Sequence, residues 1–307
     1  MFLETSLSGA ASLSAAASLS AAASLSAAAL AIAAFPFGLI IGSFLNVVIL
    51  RFPEQLKNSW RRESEDFLGL APKSDDAQET LSLSKPASRC PGCGVPIKPW
   101  HNIPVISYIL LRGKCTACST PISIQYPLVE LLSGVATAFI VYQFGLSLTA
   151  GYCLIFTWVL IALTGIDFRE QLLPDQITLP LLWLGLFANL NGTFVPLNEA
   201  VIGALAGYLS LWSVFWLFKL ITGKEGMGYG DFKLLAALGA WMGWQMLPLI
   251  IILSTFVGAL VGIVGLLMKT REKQVPMAFG PFLAMAGWIA LIWGDKILGS
   301  YLSVFGL

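Results

Sequence analysis

Eight mostly apolar stretches of 16 to 23 residues recur along this chain, at roughly 28–50, 127–145, 149–166, 177–192, 199–219, 232–247, 249–267 and 281–297. About 20 such residues cross the hydrocarbon core of a bilayer as a helix, and several of these runs are near the lower limit. Charged residues make up 11% of the chain, against about 25% in a soluble globular protein. Mean hydropathy is +0.79. The pattern predicts an all-α membrane protein of about eight transmembrane helices, with the lipid bilayer as its surroundings. A net charge of +1 carries no electrostatic footprint for nucleic acid.

The placement of the cations orients the spans. Ten of the 18 Lys and Arg residues lie in the long polar segment 51–122. The others are Arg169, Lys219, Lys224, Lys233, Lys269, Arg271, Lys273 and Lys296. With eight spans, all but Lys296 share one face with segment 51–122. The positive-inside rule makes that face cytoplasmic and puts both termini outside. Seven or nine spans would scatter the same charges over both faces.

Four segments follow: a low-complexity extension (1–27), a first transmembrane helix (28–50), a cytoplasmic four-cysteine domain (51–122) and a seven-helix membrane domain (123–307). The extension repeats a Ser-Leu-Ser-Ala unit rich in helix formers and runs into the first span. A cleaved signal peptide would carry Lys or Arg near its start, where this chain has Glu4.

Within "SRCPGCGVPIKPWHNIPVISYILLRGKCTACSTPI" stand Cys90, Cys93, Cys115 and Cys118, spaced C-x2-C-x21-C-x2-C. A two-residue gap lets both sulfurs of a pair face one tetrahedral ion, and two such pairs are the pattern of a four-thiolate zinc ribbon. Gly94 is free to take a left-handed turn that aims N–H groups at sulfur, whereas the second pair has Ser119 at that place. Free thiols or two disulfides are the alternatives; a reducing compartment disfavours the disulfides. Cys153, alone in an apolar run, reads as core. His101, the single histidine, reads as an ordinary turn residue.

Asp167 ends the third run and Asp231 opens the sixth, after Gly226, Gly228 and Gly230. The charge-derived topology puts both at one membrane face. An acidic group there is costly to bury and tends to be functional or paired. Two carboxyls close together share one proton, which supplies an acid and a base for activating water against a carbonyl. Gly228 and Gly230 would let a substrate backbone approach Asp231, and Lys233 would hold the loop near charged groups. The bland alternative is helix capping, which is also the reading of Asp175 before the fourth run. The glycines do not form a phosphate cradle, because neither their spacing nor their context fits one.

These residues resemble a family. The stretches "GLIIGSFLNVVILRFP" (38–53), "WHNIPVISY" (100–108), "YPLVELL" (126–132), "IDFREQLLPDQIT" (166–178), "GKEGMGYGDFKLLAALGAW" (223–241) and "FGPFLA" (279–284), with the four cysteines, resemble the bacterial type IV prepilin peptidases. These are membrane aspartic proteases of the G-x-G-D type. The resemblance implies that Asp167 and Asp231 are the catalytic pair and that precursors of pilins and pilin-like secretion subunits are substrates. Cleavage would follow a glycine at the cytoplasmic face of the bacterial inner membrane. It also implies N-methylation of the freed terminus with S-adenosyl-methionine. Gly42 to Asn46 and the cysteine loop would support that activity; Asn46 and Glu130 are polar groups in spans that want partners. Rival readings are a leader peptidase without methylation, a proton- or cation-coupled transporter, and a zinc-ribbon interaction module. The transporter predicts mid-membrane charges and repeated halves, and the interaction module leaves both aspartates unused.

Overall fold

The apolar runs are helices, but not all of one kind. The computed structural model describes the backbone of residues 4–70, 82–268 and 278–305, with side chains from residue 26 to residue 304 within those ranges. The helices are α1 (Glu4–Phe67), α2 (Ile106–Leu110), α3 (Gln125–Phe144), α4 (Leu148–Glu170), α5 (Asp175–Ala188), α6 (Leu197–Thr222), α7 (Tyr229–Met242), α8 (Leu247–Leu267) and α9 (Gly280–Phe305). Among the described residues there is no strand, only two isolated bridges in the cysteine segment. Lys269, Arg271 and Lys273, which helped orient the spans, lie outside the described residues.

Among the described residues, six helices are long and apolar enough to cross a bilayer: the part of α1 from Ser26, then α3, α4, α6, the Trp244–Leu267 stretch and α9. The remaining two runs form α5 and α7, of 14 residues each. A run of apolar letters does not separate a lipid-facing span from a helix sheathed in protein. Here α7 is the sheathed kind, with Phe232 and every residue from Leu234 to Met242 buried. The first helix also outruns its apolar stretch, continuing without a break to Phe67.

The chain divides into two compact units, Met1–Asn46 with Ala87–Ile155 and Val47–Pro86 with Phe156–Leu307. In the first, α1 and α3 meet through glycines. A Cβ on Gly42 would come within 2.6 Å of Glu130 Cα, and one on Gly38 within 2.8 Å of Gly134 Cα. Small residues let the two backbones touch, the usual way helices associate where lipid removes the hydrophobic drive.

The second unit is built around α7. Gly203 and Gly207 of α6 lie on the backbone of α7: a side chain at Gly203 would land on the Gly239 carbonyl oxygen, and one at Gly207 would come 2.6 Å from that of Leu235. Trp241, fully buried, donates its indole N–H to the Leu181 carbonyl at 2.9 Å and packs on Phe156 and Phe194. Asn189, at the end of α5, donates to the Ala240 and Trp241 carbonyls and accepts from the N–H groups of Phe194 and Val195. Its amide thus ties the far end of α7 to a neighbouring turn. The continuation of α1 belongs to this unit too, with Ile49 against Gly165 and Lys57 paired to Glu170 at 2.5 Å.

Candidate active site and metal-ligating cluster

Asp167 sits in the last turn of α4 and Asp231 in the first turn of α7, exposed to 5% and 7%. A carboxylate at a helix C-terminus faces the negative end of the helix dipole and needs an offsetting donor. Gly280, the first residue of α9, provides it: its backbone N–H donates to Asp167 Oδ2 at 3.0 Å. A Cβ on Gly280 would stand 2.6 Å from that oxygen and 3.1 Å from Leu173 Cδ1. Leu173 is also the neighbour of Gly230, whose Cβ would come 2.7 Å from the Leu173 Cβ. One leucine side chain therefore packs on the glycine backbones beside both acids, and their lack of side chains makes room for it.

The loop before α7 divides its glycines by task. Gly230 is used by Leu173, Gly226 lies against Phe218, and Gly228 faces open space, with nothing nearer to a Cβ there than Gly230 N at 4.0 Å. Gly228 is the N-cap of α7, and Asp231, three residues on, accepts a hydrogen bond from the Gly228 N–H. The acid thus reaches back as the third residue of a capping box does. Below it, Phe215, Tyr229 and Phe232 stack with centroids 5.2 to 5.6 Å apart and fix the start of α7 on α6.

Asp175 is not the cap expected for α5. Pro174 occupies that place, with no side-chain cap bond, and Asp175 stands inside the first turn. There it suits the helix dipole and accepts two hydrogen bonds from Lys233 Nζ, both at 2.7 Å. Lys233 thus holds the start of α7 to the start of α5.

The missed site residue is Gly280. The signal lay in "GPF" opening the last apolar run: with Pro281 at the first positions of a helix, the N–H of Gly280 is one of the donors a helix leaves unused.

The four expected cysteines come together. Cys90, Cys93, Cys115 and Cys118 place their sulfurs within 4.8 Å of one another, and none is in a disulfide. Each pair lies on the same kind of turn. Cys90 N–H donates to Val95 O, and Gly94 N–H donates to Cys90 O; Cys115 to Thr120 and Ser119 to Cys115 repeat the pattern. Gly94 takes the left-handed conformation at φ +71°, and Ser119 takes it too, at φ +57°. A tetrahedral Zn–S bond of about 2.3 Å puts sulfurs about 3.8 Å apart; Cys90 and Cys118 are 3.7 Å apart. The Thr120 hydroxyl and N–H both hydrogen-bond the Cys118 sulfur and lower its thiol to about 6, whereas hydrogen bonds with the neighbouring sulfurs leave the Cys93 thiol raised to about 11. The cluster is able to hold a metal ion. His101 lies in a short 3-10 turn with its ring against Trp100, outside the cluster, and Cys153 is fully buried.

Residues 37–144 match the profile of the bacterial peptidase A24 N-terminal domain, and residues 154–263 match that of the type IV leader peptidase family. A Pseudomonas aeruginosa protein called prepilin leader peptidase/N-methyltransferase is 54% identical over 269 residues, covering 88% of this chain and 92% of its own. Proteins of the same name are similar in Stutzerimonas stutzeri, at 54% over 271 residues (88% and 93%), and in Neisseria gonorrhoeae, at 51% over 260 (85% and 89%). No solved structure matches at comparable stringency.

Proposed function

The chain belongs to the type IV leader peptidase family, and on that premise we propose that it removes the leader of prepilins and N-methylates the new terminus, with Asp167 and Asp231 as the hydrolytic pair. The observation that carries this reading is a pair of buried carboxyls, at the end of α4 and the start of α7, linked through Gly280, Leu173 and Gly230, inside the segment matching the peptidase profile. One carboxyl, ionised, takes a proton from water. The other, protonated, hydrogen-bonds the scissile carbonyl oxygen as the hydroxide adds. The tetrahedral intermediate then collapses with a proton passing to the leaving amine. Gly280 holds Asp167 in place through its N–H, and the open space at Gly228 admits an extended substrate backbone.

With α5 and α7 counted among the spans, the charge of the loops puts the site at the cytoplasmic face. Prepilins and pilin-like secretion subunits are the substrates, their apolar stems lying among the spans. Zinc occupies the four thiolates as a structural ion and holds the cysteine segment together. S-adenosyl-methionine is the methyl donor.

The test incubates detergent-solubilised protein with a prepilin and S-adenosyl-methionine and weighs the product. Loss of the leader with gain of one methyl is expected. Asp167→Asn and Asp231→Asn should each stop leader release by a factor on the order of 10³ while the protein remains inserted. Processing at the parental rate by either variant would remove the pair.

A further inference from the structure

The first unit holds a polar cluster for which peptide hydrolysis has no use. Where α1 meets α3, Glu130 is 7% exposed, and its Oε2 accepts the N–H of Val105 at 2.8 Å. The Ser43 side chain also hydrogen-bonds its carboxyl. One turn along α1, Asn46 is 2% exposed and donates its amide to the carbonyls of Gly42, at 3.3 Å, and Tyr126, at 3.0 Å. Both partners are acceptors, which fixes the amide orientation and leaves Oδ1 buried without a donor. Ser133, fully buried, has an unpaired Oγ, and its Cβ would lie 3.0 Å from a Cβ on Gly42. Val105, which covers the carboxyl, has φ +61°, a conformation a β-branched residue adopts only under constraint.

The cluster is short of donors. A carboxylate with two of its acceptor sites used, an amide oxygen and a hydroxyl oxygen await N–H or O–H groups. An anion is repelled there, and an apolar ligand would leave the acceptors unpaired, which is costly in a buried place. A primary ammonium brings three donors and a positive charge.

We propose that Glu130, Asn46 and Ser133 bind the N-terminal ammonium of the newly cut pilin, and that Glu130 is the base for its methylation. This deepens the methyltransferase half of the reading above and rests on it. An ammonium has no lone pair, so a proton must leave before nitrogen can react. Glu130 accepts that proton and becomes neutral. The freed lone pair then forms the N–CH3 bond as the methyl–sulfur bond of a sulfonium donor breaks, its electron pair staying on sulfur.

Glu130→Gln separates this role from a structural one, because the amide oxygen still accepts from Val105. Two labelled peptides with the mature pilin N-terminus, one free and one N-acetylated, are titrated into the solubilised full-length protein without methyl donor. The parent should bind the free peptide at least 10-fold more tightly than the acetylated one. E130Q should lose that preference, and Glu130→Asp should recover part of it. In turnover, E130Q should still cut prepilin while methylation of pre-cut pilin falls at least 100-fold. Unchanged methylation by E130Q, or undiminished discrimination against the acetylated peptide, overturns the proposal. So does joint loss of cutting and methylation in both variants, which would make Glu130 a structural residue. If the unmodified protein itself neither cuts nor methylates, the functional reading beneath the proposal has failed instead.

Discussion

The backbone N–H of Gly280 donates to Oδ2 of Asp167 at 3.0 Å, across 113 residues of sequence. The bond sets one acid of the pair by the start of a helix that carries neither of the two. A methyl at residue 280 has nowhere to go except onto that oxygen and Leu173. Gly280→Ala should therefore cut prepilin about 100-fold more slowly, the scale of a misplacement near 1 Å. Leader release timed by mass spectrometry checks it, with methylation of pre-cut pilin as the control expected to hold steady.

The contact of α6 with α7 is equally intolerant, for a reason of stability. Gly203 and Gly239 meet backbone to backbone, so Gly203→Val must force the helices apart. Overpacking of this kind costs about 1–3 kcal/mol. The expected result is a lowered thermal midpoint in detergent together with weakened cleavage, since Asp231 rides on α7.

Lys233 is expected to matter much less. Its pair with Asp175 is well made, but the side chains are 27% and 48% exposed. Such pairs contribute about 0.2–1 kcal/mol. Lys233→Ala should retain cleavage within about fivefold, and a larger loss in the rate assay would give Lys233 a part in the chemistry.

Removal of the metal should act on the cysteine segment. One zinc per chain is expected by elemental analysis, lost in a Cys90→Ser, Cys115→Ser double variant. Since a closed thiolate site supplies folding energy to the loop that carries it, trypsin should then cut at Arg112 or Lys114, which the metal-bound form protects. Equal digestion of both forms would deny the ion that role.

The cysteine cluster was legible because ligand spacing is local: two residues between sulfurs fix a turn, and the turn recurs at Cys115 with Ser119 in the glycine's conformation. The aspartates stood out because an acid beside an apolar run is rare. Three features were hidden. Asp175 looks like a cap in sequence, but its partner Lys233 is 58 residues away and visible only once α5 and α7 pack. Burial of α7 on every side cannot be told from lipid exposure by apolar content, since both solvents select the same residues. The continuation of α1 past residue 50 runs alongside α4, with Lys57 paired to Glu170, while its own letters turn polar.

The brevity of α7 bears on how water reaches the reaction. Fourteen residues span about 21 Å, while the oily interior of a bilayer is about 30 Å deep. A wrapped helix so short leaves a dent at one end or both, floored by its terminal residues and rimmed by longer neighbours. In the proposed reaction Asp231, 7% exposed at the start of α7, would lie toward such a dent, which would give the second reactant a way down from the aqueous side as through a well.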